Sequence, residues 1–310
     1  MDNWYFIGGG SQRTDVIEAL PINQRGQTTY TGSGFAIDGW RIGGNSPSSF
    51  TVSLPNTNDC LRLDNTQASN PNWIRTARKI SVKAGYTYSI SCLLKSVSGS
   101  GKLAFLTTES AIAGGSITFD ASGLYEHQVT LAEDADLLFA VELNSGSSAD
   151  VYAVKVELGS TQTLANQKNG QWFFNEIPDY SVELSKCQRY LQLIPASADY
   201  LIPFGYGIAM STTEYRITIP LPTPMVKTPS ITIDNCSLRF YQENLSSGSY
   251  ISTYSAVSVI GGNAATLKYK PYVCLRFTVT GATSAKPVTM IVTGQSGSNT
   301  RSGFLLSAED

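Results

Sequence analysis

Tyr86, Tyr88, Ile90, Cys92 and Leu94 point one way along the chain, while Thr87, Ser89 and Ser91 point the other. A period of two held over this stretch predicts a strand with one buried face, and Lys83-Ala84-Gly85 before it supplies a turn. Further strands are predicted at 50–54, 60–63, 74–82, 101–107, 116–119, 126–131, 137–143 and 150–158. Between them lie turn formers: Pro55-Asn56, Asn70-Pro71, Ser98-Gly99-Ser100-Gly101, Gly114-Gly115 and Ser145-Gly146. No stretch of the roughly 10–15 residues that a crossover helix needs separates these strands. The pattern therefore predicts an antiparallel sandwich, not βαβ units.

The same alternation returns after residue 190. Tyr215, Ile217, Ile219 and Leu221 oppose Glu214, Arg216 and Thr218. Val273, Leu275, Phe277 and Val279 oppose Tyr272, Cys274, Arg276 and Thr278, and Val288, Met290 and Val292 form a third set. Pro220, Pro222, Pro224 and Pro229 belong at edges or in loops. No fixed period repeats, which disfavours a β-helix or propeller. The expected organisation is an extended N-terminal segment (1–35), a β-sandwich (36–160), a turn-rich connector with one short helix near 183–191 (161–189), and a second β-sandwich (190–310).

Composition sharpens this picture. Of 310 residues, 42% are hydrophobic and only 15% charged, with 27 Gly and 16 Tyr, as befits short strands, tight turns and hydroxyl-rich surfaces. The net charge of −2 comes with no basic run, so nucleic-acid binding has no support. No apolar stretch approaches the roughly 20 residues of a membrane helix. No basic region followed by an apolar one opens the chain, so no secretory signal is expected. Cys60, Cys92, Cys187, Cys236 and Cys274 are widely spaced, and most of them read as small buried hydrophobes of a protein folded in a reducing cytoplasm.

Two sets of motifs carry a family resemblance. Asn3-Trp4-Tyr5-Phe6, Ile22-Asn23-Gln24-Arg25-Gly26 and Ile37-Asp38-Gly39-Trp40 resemble the opening of phage and prophage tail-fibre and related virion proteins of gut bacteria. Cys187-Gln188-Arg189-Tyr190 is similar to a second stretch of the same group. The run from Ile74 to Gly99, closed by Asp150-Val151-Tyr152 through Glu157-Leu158-Gly159, resembles jelly-roll cellulose- and xylan-binding modules. The resemblance implies an all-β protein, an N-terminal jelly-roll β-sandwich of carbohydrate-binding-module type followed by a C-terminal β-sandwich. It also implies a virion-surface protein, assembled in the host cytoplasm, whose partners are bacterial surface polysaccharide, other virion proteins and further copies of itself in a homotrimer.

Candidate chemistry follows from residue type. Sugars stack on aromatic faces and bond polar side chains through their hydroxyls. Trp73, read as lying in the turn Asn70-Pro71-Asn72-Trp73 beside Asn72 and Arg75, is one candidate, with a cap on the sandwich end as its alternative. Tyr241, Tyr250 and Tyr254, around a polar Ser/Gly loop, form another, a solvated loop being the alternative. Trp4, Phe6, Arg25, Trp40, Trp172 and Phe173 read as anchors, or as an interface with a neighbouring subunit. Catalysis has little footing. The one histidine, His127, sits in an expected strand, no nucleophile elbow exists, and no cofactor motif is present. Asp38, Asp150 and Glu157 are weak calcium candidates. The expectation is a non-enzymatic glycan-binding attachment protein. A purely structural virion component and a polysaccharide depolymerase, which needs only two carboxylates, remain open.

Overall fold

In the computed structural model, residues 4–6, 21–55, 60–108, 110–195, 203–234, 236–242, 250–260, 270–294 and 303–308 are described. Residues 1–3 and 7–20 of the N-terminal segment and all of the loop 243–249 lie outside them. The chain divides into two compact units, one made of 1–23 and 27–184 and the other of 185–309, with Gln24–Gly26 counted in the second.

The first unit is the expected sandwich. One antiparallel sheet runs in the order Thr29–Thr31, Phe50–Ser53, Leu61–Asn65, Ser147–Leu158, Thr87–Ser98, Gly123–Thr130. The facing sheet runs Ile112–Phe119, Gly101–Leu106, Ala135–Leu143, Asn72–Thr76, Trp40–Gly44, Gly34–Phe35, and Ile80–Val82 also pairs with Ala135–Leu143. Between them lies one apolar core that includes Phe50, Leu63, Leu93, Phe105, Phe139 and Val151. Ser89 and Ser91 are buried as well, because their strand is paired on both sides and its outer face is covered. Residues 161–176 supply that cover: Glu126 accepts from Ser89 and from the Gln162 amide, and Glu157 accepts from the Thr163 amide. They pack on the first unit, so they are not a free connector. Tyr86, expected in the buried row, lies outside the strand and is exposed.

The N-terminal aromatics anchor within their own chain. Along the strand Ser147–Leu158, Leu61–Asn65 pairs with Ser147–Val151, and the space beside Tyr152–Val154 is taken by residues 4–6. There the Phe6 amide donates to the Tyr152 carbonyl and the Val154 amide to that of Trp4. Trp4, Phe6 and Trp40 are all buried in the core, Phe6 and Trp40 meeting edge to face at 5.6 Å. Trp172 packs against the same core, whereas Phe173 is exposed and Arg25 half-buried.

A helix over Tyr180–Gln188 precedes the second unit's strands. It begins earlier than the expected 183–191 because Asp179 caps it, accepting from the Val182 amide at 3.0 Å. The second unit holds a three-stranded sheet, Leu191–Pro195, Gly303–Ser307, Ser230–Asp234. Its larger sheet has six strands in the order Cys236–Gln242, Pro287–Gly294, Pro203–Ser211, Glu214–Pro220, Tyr272–Val279, Tyr254–Val259. The three alternating sets read from the sequence all put their apolar members into the core between these sheets. Gln24 donates from Nε2 to the Leu191 carbonyl at 2.7 Å.

All five cysteines are free thiols, and Cys60, Cys92 and Cys187 are buried. Burial, with Asp150 alongside, pushes the Cys60 thiol up to about 12, and burial alone raises Cys92 as well. An unfolded thiol ionises near 9.0, so below that pH both states are protonated and stability is unaffected. From 9.0 upward through about 12 the unfolded chain sheds protons that the fold retains, and stability falls. Iodoacetamide applied to the native protein at about pH 8 should alkylate Cys236 and Cys274 and spare the other three, as peptide mass mapping would show. Rapid labelling of Cys92 without denaturant would contradict the packing of the first core.

Candidate functional site

Of the sugar-binding candidates, the first group does not form a surface. Trp73 stands in the strand Asn72–Thr76, not in a loop, and is 3% exposed. It packs with Ala104, Leu106, Leu138 and Ala140 in a small cluster apart from the main core. Asn72 is fully buried, donating to Asn65 Oδ1 at 2.9 Å and accepting from the Ser46 amide, and Arg75 is also buried. The strand is held on both sides, by Trp40–Gly44 and by Ala135–Leu143, and every residue in it is buried. A ring without an open face cannot stack on a sugar, so Asn72, Trp73 and Arg75 are packing residues.

The calcium candidates are engaged elsewhere. Asp150 accepts from Arg62 at 3.0 Å and from Ser96 at 2.6 Å. Glu157 pairs with Lys155 at 3.1 Å and accepts from the Thr163 amide, and Asp38 is buried. No metal-holding group of three acids, His or Cys forms among the described residues. His127 meets the Gly114 carbonyl at 2.9 Å across the sandwich edge.

The second candidate group does converge, in part. Strand Cys236–Gln242 turns Leu238 and Phe240 inward and Arg239 and Tyr241 outward. Ile251 bridges to Phe240, which brings Tyr250 onto the same outer side. The Tyr241 and Tyr250 rings lie 5.6 Å apart, tilted at 48°, and the Arg239 guanidinium carbon sits 4.3 Å from the centre of the Tyr250 ring. Tyr250 remains 38% exposed. Tyr254 does not join them: it packs edge to face on Phe240 and Phe277 at the core's margin.

Register extends the face beyond this stack. Tyr241 stands opposite Thr289, Thr289 opposite Tyr206, and Tyr206 opposite Thr218. Tyr241 and Tyr206 are thus two strand spacings apart, about 10 Å. Tyr206 is 60% exposed, and Ile208 and Met210, the next outward residues of its strand, are 42% and 46% exposed. In the adjoining row Ile208 faces Arg216 and Arg216 faces Arg276. Glu214 accepts from Arg216 Nε at 2.7 Å and lies 3.5 Å from Arg276 Nε. The Arg216 bond, then the charge of Arg276, holds the Glu214 carboxyl below the usual range. Such a face offers flat aromatic and aliphatic area ringed by guanidinium donors.

Sequence reading missed Tyr206, Arg216, Arg239 and Arg276. Their outward positions follow from period two, but their proximity needs pairing between strands about 60 residues apart.

No protein-family model matches the chain, and no curated protein sequence does either. Among solved structures, BiXyn10A CBM1 in its apo form is similar at 19% identity, covering 45% of this chain and 96% of that one, with a TM-score of 0.30. The N-terminal CBM22-1–CBM22-2 tandem domain of Paenibacillus barcinonensis Xyn10C is similar at 12% identity over 91% of this chain and 94% of that one, TM-score 0.26. A Paenibacillus sp. cycloisomaltooligosaccharide glucanotransferase complexed with cycloisomaltoheptaose is similar at 10% identity over 87% and 47%, TM-score 0.22.

Proposed function

We propose that this chain is a virion-surface attachment protein that binds bacterial glycans without cleaving them. The site is the outer face of the six-stranded sheet in the second unit, and several copies of the chain act together. The observation that carries the reading is the outward-facing stack of half-buried Tyr241 and Arg239 with exposed Tyr250, flanked by exposed Tyr206 on the same face. Sugar rings place their apolar side on such rings while side-chain donors bond their hydroxyls. One shallow site binds weakly, and repetition in an oligomer, a trimer by resemblance to fibre proteins, multiplies it. The N-terminal motifs Trp4-Tyr5-Phe6 and Ile37-Asp38-Gly39-Trp40 support the virion assignment.

Four carboxyls are poorly suited to the acid role in hydrolysis. A glycosidase needs one carboxyl raised so that it can act as an acid near neutral pH. Asp134 is instead lowered by the Ala84 amide and Lys83, Asp179 by Ser181 and the Val182 amide, and Glu214 by Arg216. At Glu157 burial raises the carboxyl, but the Thr163 donors and Lys155 outweigh it and the net shift is downward.

Binding to purified capsular and wall polysaccharides on an array tests the reading. Replacing Tyr250 with alanine removes one stacking partner worth about 0.5–1.5 kcal/mol, roughly a 2- to 12-fold loss in affinity. Because the ring is exposed, the melting temperature should not move. Absence of binding to every polysaccharide tested would leave a structural virion role. Release of reducing ends, abolished by one Asp or Glu substitution, would establish a depolymerase.

A further inference from the structure

We infer that this face selects acidic glycans, polysaccharides bearing carboxylates, over neutral ones. The inference deepens the proposed function and rests on it. Three guanidiniums, of Arg216, Arg239 and Arg276, stand on the outer side of the six-stranded sheet. Arg216 and Arg276 share the single carboxylate of Glu214, each approaching it through Nε. Within this cluster of described residues, one negative charge stands against two positive charges, in a chain whose net charge is −2. The terminal nitrogens of Arg216 and Arg276 have no protein partner among the described residues. A guanidinium fork with free terminal donors takes a carboxylate through two parallel bonds, which a neutral hydroxymethyl group cannot reproduce.

The layout matches a polymer, not a lone ion. Tyr241, Thr289, Tyr206, Thr218 and Cys274 form one row across five strands, four spacings of about 4.8 Å, or roughly 19 Å. The Arg216–Arg276 pair flanks that row two residues further along its strands. A saccharide chain lying on Tyr241 and Tyr206 would therefore run past guanidiniums spaced one strand apart. Tyr206, Ile208 and Met210, each exposed over at least two fifths of its surface, supply the apolar floor between the two charged ends. The Glu214 carboxyl, held below its usual range chiefly by Arg216, keeps this charge pattern unchanged through neutral pH.

The test measures affinity of the full chain for hyaluronate, alginate and polygalacturonate, each beside its carboxyl-reduced form, at low and high salt. The expected result is binding to at least one acidic polymer, weakened roughly tenfold by carboxyl reduction. An Arg216→Gln/Arg276→Gln double variant should lose about as much on the acidic polymer and little on the reduced one. Arg276→Lys, which keeps the charge but not the fork, should fall between. Salt should weaken the acidic polymer alone. Equal affinity for acidic and reduced forms would overturn the inference while leaving glycan binding intact. Failure to bind any of the six polymers or any bacterial polysaccharide on the array would sink both. Single-stranded DNA bound as tightly as the acidic polymers would overturn the inference by showing that the face takes any polyanion. Should the double variant fail to fold, the carboxyl-reduction comparison on the native chain decides alone.

Discussion

Replacing Trp73 with alanine should lower the stability of the first unit by about 2 kcal/mol and leave glycan binding unchanged. Removing a buried tryptophan ring costs about 3–5 kcal/mol in lost transfer energy and residual cavity. Part of that cost is offset here. The indole Nε1 is buried with no hydrogen-bond partner among the described residues, and an unsatisfied buried donor costs about 1–3 kcal/mol. Truncation removes both the contacts and the orphaned donor. Trp73→Phe helps to separate the two effects, because it removes the N–H while keeping a six-membered ring and so leaves a smaller cavity than alanine; it should melt within a few degrees of the native protein. For a unit of this size about 2 kcal/mol corresponds to roughly 4–8 °C in melting temperature. Calorimetry with an array measurement on the same samples checks this. A Trp73→Ala protein that melts normally but no longer binds glycan would put the site on the first unit and undo the assignment to the second.

The contrast between Trp73 and Tyr250 shows where local sequence carries information. Both are aromatics beside polar, turn-forming residues, and from composition they are equivalent. Asn70-Pro71 does end a turn, but strand pairing resumes at Asn72, one residue before the tryptophan. What separates the two is the number of neighbouring strands, which is fixed by partners far away in the chain. The alternating sets at 214–221, 272–279 and 288–292 were legible because their inward positions are large and apolar throughout. Strand Pro203–Ser211 escaped the same reading. Its inward positions are Gly205, Gly207 and Ala209, so the hydrophobic alternation runs backwards, with Tyr206, Ile208 and Met210 outside. Glycines read as turn signals in one dimension. In the fold they make room: Tyr215 and Phe240 come from strands three places apart, yet their rings meet at 5.3 Å over this small-residue stretch. The guanidinium pair was beyond local pattern altogether, since Arg216 and Arg276 become neighbours only through register.

That reversed strand is where a single methyl group should do the most damage. A Cβ at Gly207 would sit 1.7 Å from the Arg216 carbonyl oxygen, 2.7 Å from its carbonyl carbon and 2.9 Å from the Ile217 Cα. All three are backbone atoms, so no side-chain rotation relieves the clash; the strands Pro203–Ser211 and Glu214–Pro220 must part. Overpacking alone costs about 1–3 kcal/mol, and each ladder hydrogen bond broken adds about 0.5–1.5 kcal/mol. Against the roughly 5–15 kcal/mol that holds a typical domain together, Gly207→Ala should remove about half or more of the second unit's stability. The expected trace is a two-transition melt in which one transition falls by 10 °C or more, on the order of 2–4 °C per kcal/mol, while the other is unmoved. Glycan binding should fall with the displaced transition, because Tyr206 and Ile208 flank the altered residue and lose their register against Thr289 and Arg216. Gly170→Ala, at an open turn position where nothing lies within 4 Å of the added carbon, controls for the loss of a glycine as such. If Gly207→Ala melts and binds like the native chain, these two strands are not pressed together as described. The row joining Tyr241 to Cys274, and its alignment with the Arg216–Arg276 pair, would then dissolve, and with it the physical basis for a glycan platform on this sheet.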